Sequence, residues 1–389
     1  MKSKLIFEFA DHPHVIPPWV QFMEDGARVF TIRENLEATK KSLLAHGKDP
    51  TVFVIAPLNV LREFFFNNPF SSRRVVVVST APEFGVSVGI AICSLVVSLM
   101  RIDFLCIRSV ARWQHGVVLK HQRFLYAKDF SGSSLIDVFK HRVSSSIGNL
   151  LRKLMLFKSN AFVFETTSQK AAFVSSGLLT RNKESFVFAG RLPYTSYNRK
   201  ALALRQDPSM SKKSVRPLII GVLGSVNSER RDYDLLEKVI LEISKVSPNI
   251  QLAFLGAISH PNSEKIIQRF SRVPILKIHD SFGFVDEKDY LVLASKIDVV
   301  IAPLREDWGY KNGLGTGAIA DALFLQKPLC LPHFMKEASG PNWINYYLTY
   351  QDLLLLLTSP ENLLKPPNPE PDVPRLQNSV RRVVRSSNL

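Results

Sequence analysis

Short apolar runs alternate along the first half of the chain with longer stretches of helical period. KLIFEF (4–9), ARVFTI (27–32), TVFVIAPL (51–58), RRVVVVST (73–80), DFLCIRS (103–109), AFVFET (161–166) and SFVFAG (185–190) are rich in β-branched and aromatic residues. Their length and near-continuous apolarity predict strands buried on both faces. Between them lie the loop ADHPHVIP, an amphipathic PWVQFMEDG, a polar helical stretch before Thr51, the apolar helix GVSVGIAICSLVVSLM (85–100), a long Lys/Arg-rich segment and a helix over Ser144–Phe157. Strand and helix in alternation predict a parallel sheet with helices on both faces.

From Tyr194 to Arg216 the apolar pattern lapses into polar, charged, Pro and Ser residues, as in an interdomain connection. We place the boundary near residue 205, giving an acceptor-binding domain over 1–205 and a second domain over 206–389. The second half restarts the same grammar: PLIIGVLG (217–224), a helix over Tyr233–Lys245, QLAFLG (251–256), a helix over Ser263–Phe270, ILKIHDSF, a helix over Lys288–Lys296, DVVIAPL (298–304), a glycine-led helix and PLCLP. The expected fold is α/β: two Rossmann-like doubly wound domains facing each other across a cleft, with ligand loops at the carboxyl ends of the strands. Outside this pattern stand the proline-rich KPPNPEPDVP (365–374) and the basic tail RRVVR (381–385).

The 389 residues, 46% of them hydrophobic, suffice for two cores. Charge is unevenly spread: 27 Lys plus Arg against 14 Asp plus Glu leave +13 in residues 1–200, whereas 23 against 20 leave +3 in the remainder. The obvious cluster is Arg73, Arg74, Arg101, Arg108, Arg112, Lys120 and Arg123. Such a field suits an anionic partner (nucleic acid, an acidic glycan or bilayer head groups) or a solvated basic surface with no partner. No aromatic ribonucleoprotein pattern, zinc finger or helix-turn-helix signal is present, so nucleic acid is not expected. Cys93, Cys106 and Cys330 each sit in an apolar stretch and read as small buried hydrophobes. The run Val86–Met100 falls short of the roughly 20 residues that span a bilayer. We expect a cytoplasmic protein whose basic first domain meets an anionic membrane surface peripherally.

Residues 311–332 contain Gly313-x-Gly315-x-x-Ala318, the spacing of a dinucleotide-binding turn. That fingerprint needs its first glycine directly after a strand, because turn and helix must both meet the pyrophosphate. Here eight residues separate Leu304 from Gly313, which argues against nicotinamide or flavin, although Glu337 stands as a late ribose acid. Alternatively, Gly313, Gly315, Thr316 and Gly317 open a helix whose amino terminus holds a diphosphate, with Asp321 about one turn on accepting from ribose hydroxyls. Close helix packing through small residues is the plain alternative.

With these features the chain resembles glycosyltransferases of the GT-B architecture and is most similar to the retaining family 4. The resemblance rests on Gly224-Ser225-Val226-Asn227-Ser228-Glu229-Arg230-Arg231-Asp232, Phe282-Gly283-Phe284-Val285, Ala302-Pro303 and Asp321-Ala322-Leu323-Phe324-Leu325-Gln326-Lys327-Pro328. It covers about 115 residues of the second half; the first half matches in layout only. It implies that Gly224, Ser225, the Gly313–Gly317 turn and Arg230 or Arg231 hold the diphosphate of a nucleotide sugar, while Phe284 and Val285 present backbone groups to the base. The sugar would pass to a glycan, a lipid-linked or another acceptor without metal or cofactor, the arginines carrying the leaving charge. The family's first glutamate has no counterpart: eight positions before Asp321 stands Gly313, and the nearest acids are Glu306 and Asp307. Where many members carry a sugar-contacting histidine, this chain has Arg108 and Ser109, with His115 further along. An inverting enzyme would instead need a base such as His12 or His14, and a non-catalytic binding or assembly protein on the same shell stays open.

Overall fold

The computed structural model describes residues 4–9, 15–23, 26–66, 74–79, 88–107, 150–177, 183–192, 217–247, 249–256, 258, 262–277, 287–306, 316–336, 342–366 and 372–385. Two compact units emerge: residues 1–190 with 312–315 and 372–389, and residues 191–311 with 316–371.

The first unit is built on a seven-stranded sheet in the order β3-β2-β1-β4-β5-β6-β7. Its strands are β1 (Lys4–Glu8), β2 (Ala27–Thr31), β3 (Thr51–Val54), β4 (Arg74–Ser79), β5 (Ile102–Ile107), β6 (Ser159–Phe164) and β7 (Glu184–Val187), and every pairing is parallel. Alternation sorts their side chains: Leu5, Phe7, Val75, Val77, Leu105, Phe162 and Phe164 share one core with Val60, Cys93, Val97, Met155 and Phe173 from the helices on that face. The other face is built around Trp19, whose ring meets Phe22, Phe104 and Phe188 at 5.7–6.2 Å.

The second unit has six parallel strands in the order β10-β9-β8-β11-β12-β13. They are β8 (Leu218–Leu223), β9 (Ile250–Leu255), β10 (Ile275–Lys277), β11 (Val299–Ile301), β12 (Leu329–Pro332) and β13 (Asn345–Tyr347). Helix Tyr233–Val246 turns Leu236, Val239, Ile240 and Ile243 onto Ile220, Val222, Leu252 and Phe254, the i, i+3, i+4 and i+7 stripe its sequence dictates.

Several elements depart from the sequence expectation. Helix Pro57–Phe66 follows β3 directly, where the apolar run TVFVIAPL reads as one long strand; Pro57 starts the helix, as a proline in a first helical turn does. Strand β13 and helix Tyr350–Thr358 go unmarked in the apolar pattern. The residues read as a proline-rich stretch and basic tail contain helix Asp372–Arg385, with Val373, Leu376 and Val380 buried. This helix packs on helix Ile16–Met23 and β7. It is therefore grouped with the first unit, whose division from the second falls at residues 190 and 191; the boundary expected near residue 205 lies outside the described residues. Cys93 and Cys330 are buried and Cys106 half-buried, all three free.

Candidate functional site

In each sheet the chain reverses its direction of growth between two neighbouring strands, β1 and β4 in the first and β8 and β11 in the second. The crevice beyond the carboxyl ends at such a switch point is where open parallel sheets take ligands.

In the second sheet, β8 ends at Gly224, whose φ of 83° suits only glycine, and an added Cβ at Gly256 beyond β9 would overlap the Gly224 carbonyl. The loop that follows is held by backbone bonds: Asp232 N donates to Pro303 O at 2.7 Å and Arg305 N to Arg230 O at 3.0 Å, with Arg231 and Leu304 forming an antiparallel bridge. Asn227 Oδ1 accepts from Glu229 N at 2.8 Å, and Ser263 Oγ donates to Val226 O at 2.7 Å. Asp232 then caps helix Tyr233–Val246, accepting from Leu235 N at 2.9 Å. The loop after β8 is thus stitched to the loop after β11 across the switch point.

Arg231 folds its guanidinium back over this edge, Nη2 donating to Leu223 O. Its Nη1 is buried with no hydrogen-bond partner among the described residues, and so is the Tyr233 hydroxyl. Burial pushes the Tyr233 phenol up, opposed by the Arg231 charge beside it. A buried guanidinium N–H without an acceptor costs free energy until an anion or water meets it.

The glycine-led helix is Gly317–Leu325. Thr316 caps it with its own hydroxyl, accepting from Ala318 N at 3.4 Å, and Gly317 is exposed with open space around its Cβ position. Because this helix follows β11, its amino terminus lies at the same carboxyl edge as Arg231. Asp321 has a partner within the fold: its Oδ1 accepts from Arg191 Nη1 at 2.9 Å, and the Arg191 guanidinium stacks over the Phe324 ring at 4.4 Å. With side chains 8% and 20% exposed, the pair is largely buried, so at least one carboxylate oxygen serves the fold.

Of the sequence candidates, Gly224, Ser225, Arg230, Arg231, Thr316, Gly317 and Asp321 fall in described parts of the second unit. Phe284, Val285, Gly313, Gly315 and His115 lie outside the described residues, as do His12, His14, Asp307 and Glu337; Glu306 is exposed. Of the basic cluster only Arg74 and Arg101 are described. Sequence reasoning passed over Arg191, Tyr233 and Gly256. An aromatic two positions after a doubled arginine and a glycine ending QLAFLG were the available signals for the last two; Arg191 offered none.

The first sheet's switch point is different. Glu8, fully buried at the end of β1, takes the Thr31 hydroxyl at 3.5 Å, and Thr39 donates to Thr31 at 3.4 Å.

Two parallel Rossmann-like sheets in one α/β chain define a GT-B-type fold. Solved structures match it along their whole length: UDP-GlcNAc 2-epimerase from Neisseria meningitidis bound to UDP-GlcNAc (13% identity, 99% of both chains, TM-score 0.55), HepE of Anabaena with UDP and glucose (11%, 100% of this chain and 95% of that one, 0.53), and MnaA of S. aureus with UDP (10%, 98% and 91%, 0.52). At these identities the likeness is one of fold. No protein-family model matches the chain, and no curated protein matches it in sequence. Among the described residues no helix is long and apolar enough to cross a membrane.

Proposed function

We propose that the chain binds a nucleoside-diphosphate sugar at the carboxyl edge of the second sheet and transfers the sugar to a glycan, a lipid-linked or another acceptor, with retention and without metal, as family 4 glycosyltransferases do. The buried, unpartnered Nη1 of Arg231 at the switch point supports this most directly, because an always-charged planar donor there suits a phosphate oxygen. Arg230 and Arg231 on one side and the amino terminus of helix Gly317–Leu325 on the other carry the charge that develops as the sugar's bond to the diphosphate oxygen breaks. Gly224 brings backbone close to the phosphates; Ser225, Gly313, Gly315, Thr316 and Gly317 complete the cradle. Phe284 and Val285 meet the base, and Asp321 meets the ribose. His115 is the candidate contact to the sugar.

The whole-chain likeness to a UDP-GlcNAc 2-epimerase favours a second reading, in which the same edge holds the nucleotide sugar and the product is a nucleotide sugar inverted at one carbon. The two differ in product: transfer releases free nucleoside diphosphate, whereas epimerisation returns an isomeric nucleotide sugar. A melting scan against UDP, GDP, ADP and TDP sugars, followed by product analysis by NMR, tests both. Stabilisation by one nucleotide sugar that is lost in Arg231→Ala is expected; an unmoved melting curve with every sugar nucleotide refutes the site.

A further inference from the structure

The first unit carries a helix that is apolar on its outer side as well as on the side that packs Cys93, Val96 and Val97 into the core. In helix Val88–Leu99 the exposed positions are Val88, Ile92, Leu95 and Leu99, all apolar, while Ser94 and Ser98 are buried. Ser98 turns its hydroxyl back to Leu95 O at 2.7 Å, and Ser94 Oγ has no hydrogen-bond partner among the described residues. Positions 88, 92, 95 and 99 recur at the i, i+4, i+7, i+11 spacing of a single helical stripe. A solvated helix places its serines on that stripe; this one places its hydrocarbon there.

The pattern extends to its neighbours on the same core. Helix Pro57–Phe66, which packs against it, exposes Leu58 and Phe65 with Arg62 between them. The helical stretch 150–158, joined to the same core through Met155 and Leu156, exposes Leu150 and Phe157 beside Lys153 and Lys158. Arg101, exposed, follows Leu99. The one acid on these elements, Glu63, is buried and paired with Arg28 at 2.5 Å. Among the described residues these apolar stripes are bordered by cations with no exposed acid, which exceeds the scattered exposure of an ordinary surface.

From this we infer that the helix face formed by Pro57–Phe66, Val88–Leu99 and residues 150–158 lies on an anionic lipid surface, its stripes entering the head-group region and its Arg and Lys meeting lipid phosphates. Charge selects this occupant: a second copy of the same face would set like charge against like, whereas an anionic bilayer complements both components. A helix of 12 residues, about 18 Å long, lies along such a surface and does not cross it. The inference does not depend on the nucleotide-sugar reading, so vesicle binding and nucleotide melting shifts succeed or fail separately.

The full chain is sedimented with phosphatidylcholine vesicles, with and without phosphatidylglycerol as the anionic lipid, at low and high salt. Wild type should bind the anionic vesicles, more weakly as salt rises. I92S/L95S, which alters only exposed side chains, should bind at least about tenfold more weakly with an unchanged melting temperature, and R62Q/R101Q should lose mainly the salt-sensitive part. Absence of wild-type binding, or equal binding by I92S/L95S, overturns the inference. A wild-type dimer that I92S/L95S abolishes, without vesicle binding, would assign the face to a second copy; a fall in the melting temperature of I92S/L95S without vesicle binding would assign it to another segment of the same chain.

Discussion

The two switch points share a topology and differ in chemistry. At the second, the loops beyond β8 and β11 are locked together by backbone bonds, and a guanidinium N–H is left unused beside them. At the first, the polar groups at the strand ends are buried and bonded to one another: Glu8 with Thr31, Thr31 with Thr39. One edge leaves a guanidinium N–H without a partner, while the other consumes a carboxylate in holding β1, β2 and helix Leu36–Ala45 in register. The same strand-and-helix grammar therefore does not by itself make a binding edge; what matters is whether the polar groups it delivers already have partners.

The largest test of this contrast is Gly256→Ala. The added methyl collides with the Gly224 carbonyl, and we expect a loss of about 3 kcal/mol in denaturant unfolding, together with loss of any nucleotide-sugar stabilisation. Arg191→Leu should cost about 2 kcal/mol, because it removes the cation from a largely buried ion pair with the Asp321 carboxylate; Arg191→Leu combined with Asp321→Asn should recover most of it. In Arg231→Ala, nucleotide-sugar affinity should fall at least about tenfold, or about 1.4 kcal/mol, measured by titration; unchanged affinity would remove the contrast between the two edges. Thr31→Val, at the edge whose groups are already partnered, should cost about 1 kcal/mol of stability and leave nucleotide-sugar affinity unchanged.

The smallest effect concerns acid. Asp352 closes a capping box on helix Tyr350–Thr358, and the Thr349 and Leu348 amides hold its carboxyl below the usual value. A depressed carboxyl stabilises the fold above its ordinary pKa of 3.8, and that contribution is lost as pH falls through the lower folded value. Thr349→Ala should weaken the cap by about 1 kcal/mol at neutral pH and shrink this acid dependence; an unaltered acid unfolding curve would show that the box is not linked to proton uptake.

The strands were legible because parallel strands buried on both faces must be apolar throughout, and all seven runs of the first half contain one. Gly224 and the glycine-led helix were legible as well, since a tight turn after a strand and an N-cap threonine leave marks in the residues. Helix Asp372–Arg385 was obscured by the prolines before it, although Val373, Leu376 and Val380 keep helical spacing. Arg191 could not be found this way: its role comes from meeting Asp321, 130 positions away, and no local pattern encodes a contact between distant residues. The outward stripe on Val88–Leu99 was hidden for a related reason, since an apolar helix reads as core until its neighbours show which side they cover.

The return of residues 372–385 to the first unit fixes an order of events during synthesis. Strand β7 and helix Ile16–Met23 are made early, but the helix that covers them emerges only after the whole second unit has been translated. On the ribosome, then, the intervening unit has all its strands available while the earlier one still waits with an edge uncovered. Edges of that kind recruit stray strands, and a nascent chain of this protein passes through its most vulnerable stage just before the final turns of helix appear.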